Sequence, residues 1–358
     1  FAGVRCRVRA DKQMPLMPLR CVWQLPGPHG SSGTARCELV VGSPPDAGAD
    51  APAVVAGGFE IRFPRNRFGY GIGWIRTLPD GKLVGVIPSL GRLRMRGGPD
   101  EGVPLYARAF EVVSDGQVLG GQAASPHGRG LRFAVPVAML GTPPGSTISV
   151  SFVAPADDPT GSVPNSVITC RVSAPVPSPG TLLGLETQFV CAGEGAARAR
   201  EEALVPGLEW LVGDEMSSSD LDIAYDHEHR LRYRQHPHLI TVPFMAVRTA
   251  AATTGIVWHP RAHWNDGKQR PELAPDRSDV DRPTPVFASP DRFNGHASHT
   301  MGLALPTVPE YAAANEEIAG TGWPVAGSGA TRLDLSFGIY VLPGGDTALD
   351  ACRLWFDI

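Results

Sequence analysis

The stretch Gly73–Ile87, G-W-I-R-T-L-P-D-G-K-L-V-G-V-I, decides the reading of the fold. Two strand-like runs flank Pro79-Asp80-Gly81, where proline presets φ and glycine accepts a left-handed conformation. The stretch therefore predicts an antiparallel hairpin. The same grammar recurs on both sides. G-F-E-I-R-F (Gly58–Phe63) alternates apolar and polar residues with the period of a half-buried strand. Tyr106–Gly120 predicts a second hairpin, turning at Asp115–Gly116. L-R-C-V-W-Q-L and R-C-E-L-V-V-G upstream read as further strands, as do L-R-F-A-V-P-V, T-I-S-V-S-F-V and V-I-T-C-R-V-S downstream. Gly and Pro separate every run, and no convincing amphipathic helix interrupts residues 1–180. The fold class is all-β, a large antiparallel sandwich with a few short helices.

Composition agrees. Gly (42) and Pro (35) exceed a fifth of the 358 residues, while the 42% hydrophobic fraction is that of a chain with a real core. The net charge of −4 comes with no long basic run, which argues against nucleic acid or an anionic membrane as partner. No apolar run is long enough to span a bilayer, and no lipidation or signal motif is visible. Localisation is unknown from sequence. The chain starts without Met and ends on A-C-R-L-W-F-D-I, read as a final strand, so it is expected to be a piece of something longer. The six cysteines form no C-x-x-C pair, which makes a cysteine zinc site unexpected. They read as buried free thiols, with a disulfide between two early strands as the alternative.

Residues 1–180 form one β half and 181–358 a second, with Ala174–Gly180 (A-P-V-P-S-P-G) as connector and both halves together as one unit. The first half offers no chemistry: His29 and His127 sit in Gly-rich loops, and Arg62, Arg65 and Arg67 read as a solvated strand edge. The second half differs. Ala196–Leu204 reads as a short helix stopped by Pro206-Gly207. In L-E-W-L-V, Trp210 is expected to face the core and Glu209 the opposite side. Asp214 and Glu215 follow at once. Eight of the ten histidines fall between His227 and His299, which marks a functional zone. The two H-x-H pairs have metal-like spacing, but Leu231 stands where an H-E-x-x-H helix needs its second His. No metal or other cofactor is therefore expected; a metal-dependent sandwich using His227 and His229 stays as a minor alternative. Thr307 and Glu310 form a capping box for the clearest predicted helix.

The combination A-G-E-G, A-L-V-P-G-L-E-W-L-V-G-D-E-M-S-S-S, I-T-V-P-F-M-A-V, V-W-H-P, W-N-D-G, F-A-S-P, H-T-M-G-L and P-T-V-P-E resembles a segment of large bacterial carbohydrate-processing proteins. In that family a galactose-mutarotase-like β-supersandwich precedes an (α/α)6 six-hairpin glycosidase domain. The likeness spans Phe189 to Trp323. It implies a supersandwich, a carbohydrate ligand and a C-terminal helical catalytic domain as partner; helical repeats of that kind are not in this sequence.

Sugar hydroxyls suit carboxylates and imidazoles, and aromatic faces suit the C–H faces of sugar rings. The expected groove is lined by Asp214, His227, His229, Trp258, His263, Trp264, Asp266 and His296. Glu209 and Glu215 are the candidate glycosidase pair, which would need carboxylates about 5–5.5 Å apart for retention or about 6.5–9.5 Å for inversion. A mutarotase-like reaction would instead pair Glu209 as base with His259 or His299 as acid. The competing reading is a non-catalytic structural or interaction module that packs on a catalytic partner.

Overall fold

The computed structural model describes residues 17–26, 32–41, 51–95, 102–114, 117–119, 130–136, 145–155, 166–175, 182–191, 200–215, 240–259, 283–289, 299–305, 332–344 and 347–356. Every strand pairing among them is antiparallel. The expected hairpins form: β5 (Gly73–Thr77) pairs with β6 (Leu83–Ile87), and β9 (Phe110–Ser114) with β10 (Gln117–Leu119). At the first turn the Thr77 hydroxyl donates to Asp80 and holds its carboxyl below the usual range.

Two large sheets result. The ten-stranded sheet runs β10, β9, β11 (Gly130–Pro136), β12 (Thr147–Val153), β13 (Val167–Pro175), β21 (Arg332–Leu342), β18 (Thr253–Trp258), β17 (Phe244–Thr249), β15 (Arg200–Val205), β16 (Glu209–Val212). The nine-stranded sheet runs β19 (Thr284–Ala288), β20 (His299–Leu305), β14 (Leu182–Cys191), β6, β5, β4 (Phe59–Arg62), β3 (Ala53–Ala56). Its β7 (Arg92–Met95) pairs β14 and β8 (Val103–Pro104). Each sheet takes strands from both sides of residue 180. A separate hairpin joins β1 (Met17–Pro26) to β2 (Ser32–Val41). Ala174 and Pro175, read as connector, still belong to β13 and pair with Leu333 and Arg332.

The period-2 pattern places the core. Along β11, β12 and β13, Leu131, Phe133, Val135, Ile148, Val150, Phe152, Ile168, Cys170 and Val172 point between the sheets. They meet Val54, Phe59, Ile61, Ile75, Leu185, Met301 and Leu303 from the other sheet. Phe63, Phe133 and Phe152 form an aromatic cluster with centroid separations of 5.0, 4.8 and 6.2 Å. Burial pushes the Cys170 thiol far up, so it packs as a small apolar group.

Part of the other face of the ten-stranded sheet, over β15, β17, β18 and β21, is covered too, and here the sequence reading is corrected. The C-terminal run forms helix α1 (Asp350–Phe356), not a strand. A short apolar run fits either state. What selects the helix is its start: the Leu349 N–H donates to Thr347 Oγ1 (3.3 Å) and the Thr347 N–H to Asp350 Oδ2 (3.2 Å). This reciprocal pair is a capping box built with Asp. Glu202 of β15 adds an anion at the helix start, accepting from the Ala348 N–H (2.6 Å) and the Thr347 hydroxyl (3.0 Å). Ala348, Ala351 and Leu354 then pack on Leu204, Phe244, Ala246, Val257 and Tyr340. Glu202→Ala removes a cap and leaves two donors unpaired, so thermal or denaturant unfolding should show a loss of about 1–2 kcal/mol. A loss within about 0.3 kcal/mol would show that the cap is not structural.

A second correction concerns Ala196–Leu204. Residues 200–205 are strand β15 rather than helix, despite helix-favouring Ala, Arg and Glu. Burial of Ala203 and Val205 between the sheets, and pairing with β16 and β17, override propensity. Pro206-Gly207 is then a hairpin turn, closed by the Leu208 N–H to Val205 O bond (3.0 Å) with Gly207 at φ 94°.

Candidate functional site

The site begins with a bulge. Between Arg200 and Glu202 the register of β15 against β17 shifts by one residue. Such a bulge re-aims the side chain beside it. Arg200 is 4% exposed and reaches the nine-stranded sheet, where its Nη1 donates to Ser289 O (2.7 Å) and Ser289 Oγ (3.0 Å). Its Nε donates to Gly213 O (2.9 Å), and its Nη2 to the Glu215 carbonyl. Ser289 Oγ lies 2.7 Å from His299 Nδ1. With one lone pair on Arg200, the hydroxyl can give its hydrogen to Nδ1, leaving the ring proton on Nε2.

This is a latch between the two sheets. One guanidinium gathers the turn after β16, the end of β19 and, through Ser289, the start of β20. Ser289 and His299 are both fully buried, so this Ser–His pair is not open to a substrate. Its geometric effect is on the roots of two segments: Glu215 precedes 216–239, Ser289 precedes 290–298, and His299 follows the second. Those segments carry five of the ten histidines, His227, His229, His236, His238 and His296, with His299 at the border.

Glu215 also closes the sheet edge. Its Oε2 accepts from the Val212 N–H (2.7 Å), and its own N–H donates to Val212 O (3.3 Å). Strand β16 is the edge of the ten-stranded sheet, and this cap occupies backbone groups that another strand could otherwise pair.

The alternation read along β16 holds, but its sense is reversed. Leu211 faces the core at 6% exposure, whereas Trp210 is 50% and Val212 54% exposed. Trp210 sits opposite Leu204 in the register, on the sheet face that α1 covers farther in. At the edge nothing among the described residues buries it. Glu209 is half-buried and lies level with Val205, at the opposite end of β16 from Glu215. At about 3.4 Å per residue, some 10 Å of strand separates Glu209 from the Val212 position where the Glu215 carboxylate is held.

The remaining candidates are dispersed. Trp258 is 5% exposed and packs in the inter-sheet core, so its ring faces protein. His259, exposed, follows it at the end of β18. Two strands, β15 and β17, lie between β16 and β18, so Glu209 and His259 are three strand spacings apart, about 14 Å across the sheet. Asp214 is exposed in the turn after β16. The structure thus links Glu215 with His299, through Arg200 and Ser289, and does not place Glu209 beside Glu215 or His259. His227, His229, His263, Trp264, Asp266 and His296 lie outside the described residues, as does the Thr307 helix. Among the described residues, no group of His, Cys, Asp and Glu has a metal-holding arrangement, and no helix is long and apolar enough to cross a membrane. An interior cavity lined by Ile87, Phe152, Cys170, Thr187 and Phe337 holds about 10 Å³, room for one water and not for a sugar.

Sequence reasoning missed Arg200, Ser289 and the exposure of Trp210. The first two lie within A-R-A-R-E-E and F-A-S-P, but only the bulge and the pairing across sheets give them a role.

Fold and latch together define an all-β protein of two packed antiparallel sheets. No protein-family model matches the chain, and no curated protein does. Among solved structures it is similar to YeaD from Salmonella typhimurium, described as a putative mutarotase, at 9% identity and a TM-score of 0.30. That match covers 81% of this chain and 93% of the other. At this TM-score the likeness carries no argument, and the sandwich rests on its own strand pairings.

Proposed function

We propose that the chain is a carbohydrate-binding β-sandwich module whose ligand lies against Trp210 and Asp214, at the sheet edge that the Arg200 latch and the Glu215 cap fix. The observation that carries this reading is the exposed Trp210 on a capped edge strand. Trp210 and Val212 lie on the same face of β16 and together leave an apolar surface open at the sheet edge, where a flat ligand can lie. The flat apolar face of the Trp210 indole suits the C–H face of a sugar ring, and its N–H and the nearby Asp214 carboxylate suit hydroxyls. Because Glu215 already closes the strand edge, the platform offers a ring face rather than an open backbone ladder. The resemblance over Phe189–Trp323 supports the same ligand class, and a setting beside a helical glycosidase domain in a larger carbohydrate-processing protein.

In this reading Glu215 and His299 serve the architecture of the site, and Trp210 serves recognition. A panel of oligosaccharides should yield at least one ligand. Trp210→Ala should weaken it about tenfold or more, since an aromatic contact is worth roughly 1–2 kcal/mol. Trp210→Phe should retain most of the affinity. Failure of every glycan in the panel to bind, with the protein folded, would leave the non-catalytic structural module as the better account.

A further inference from the structure

The hairpin β1–β2 carries a feature that the sugar reading does not use. Its ten register pairs run without a break from Met17↔Val41 to Pro26↔Ser32, and Cys21 is paired with Cys37. Directly opposite residues in an antiparallel ladder have Cα atoms about 4.5–5.5 Å apart. Disulfides span Cα separations of about 4.4–6.8 Å. The register therefore places the two cysteines within the Cα separation that a disulfide spans. The hairpin also has more need of a cross-link than any other described element, because it forms its own two-stranded sheet, hydrogen-bonded to neither large sheet. A two-stranded ribbon by itself is marginal in water.

We propose that Cys21 and Cys37 form a redox-sensitive cross-strand disulfide that staples this hairpin. The oxidant is a small-molecule disulfide such as oxidised glutathione. One cysteine thiolate attacks it, forming a mixed disulfide and releasing one glutathione thiolate. The second cysteine thiolate then attacks the protein sulfur of that mixed disulfide and expels the other glutathione. Two protein thiols are oxidised, one glutathione disulfide is reduced, and the two protons lost by the cysteines protonate the leaving thiolates. Cys170 stays outside this chemistry, since it is buried in the inter-sheet core and its thiol is held protonated.

Arg20 and Arg36 immediately precede the two cysteines, so trypsin separates them into the peptides 21–36 and 37–62. The full chain would be equilibrated in glutathione buffers from reducing to oxidising, blocked with N-ethylmaleimide, digested and mapped by mass spectrometry. The expected result is one linked species, 21–36 with 37–62, that appears toward the oxidising end and is abolished by reduction. Cys21→Ser and Cys37→Ser should each remove it, and each should leave the remaining partner alkylated. Recovery of both cysteines as maleimide adducts at the most oxidising poise would overturn the proposal, as would pairing of either with a different cysteine.

Discussion

Arg200→Met should unfold at much lower denaturant than the parent chain, with a loss of about 3–5 kcal/mol. The side chain is close in length and apolar, so the cavity is small; what is lost is the hydrogen bonding. The carbonyls of Gly213, Glu215 and Ser289 all accept from this one guanidinium. Leaving buried acceptors unpaired costs about 1–3 kcal/mol for each group that water cannot reach. Arg200→Lys should recover little, because an ammonium donates from one point and cannot serve acceptors on two sheets at once. Equilibrium denaturation of the three proteins measures the effect. A loss below about 1 kcal/mol for Arg200→Met would show that the two sheets are held together without the latch.

The second large effect is expected at Gly255, in the middle of β18. A Cβ there would lie 1.9 Å from Met245 O and 2.3 Å from Tyr340 Oη. Neither can retreat cheaply. Met245 O is a ladder residue's carbonyl, and the Tyr340 hydroxyl donates to it at 2.7 Å while its ring is fully buried under α1. Gly255→Ala must break that hydrogen bond or part β17 from β18, a loss of about 3 kcal/mol or more. Tyr340→Phe removes only the hydroxyl and should cost about 1 kcal/mol. If Gly255→Ala becomes tolerable in the Tyr340→Phe background, the clash lies with the hydroxyl; if not, the obstacle is the Met245 carbonyl together with the ring carbon Cζ, 2.5 Å from the added Cβ, which phenylalanine keeps. Thermal melts of the two single variants and the double variant separate these outcomes.

The fold was legible where local chemistry and sheet position agree. Pro79-Asp80-Gly81 has one good solution, a turn, and the hairpin around it follows. Alternation along β11 to β13 likewise shows which residues face the core, because both of their neighbours in the sheet are strands of the same kind. Legibility failed where the answer depended on a remote partner. Trp210 alternates with Leu211 in any strand, but which of the two faces the core depends on where β16 sits in its sheet, and a short edge strand can leave its larger residue outside. Residues 350–356 satisfy both periods; what discriminates them is the pairing of Thr347, just upstream, with Asp350 at the helix start. Arg200 sat in a run with helical propensity, and the bulge that turns it toward Ser289 has no local signature. His299 was recognisable as a candidate, yet its partner at Ser289 becomes visible only when β19 and β20 are paired.

The latch and the platform belong to one account. The Arg200 guanidinium sets the turn after β16, the Glu215 cap closes its edge, and Trp210 is presented outward two residues before that cap. Nitrogen-15-labelled protein offers a direct test, because each of the seven tryptophans gives one indole N–H signal. Titration with a bound oligosaccharide should shift the Trp210 indole, assigned from the Trp210→Phe spectrum, while the buried Trp74 and Trp258 signals stay in place. A glycan that binds without moving the Trp210 signal would contradict the account.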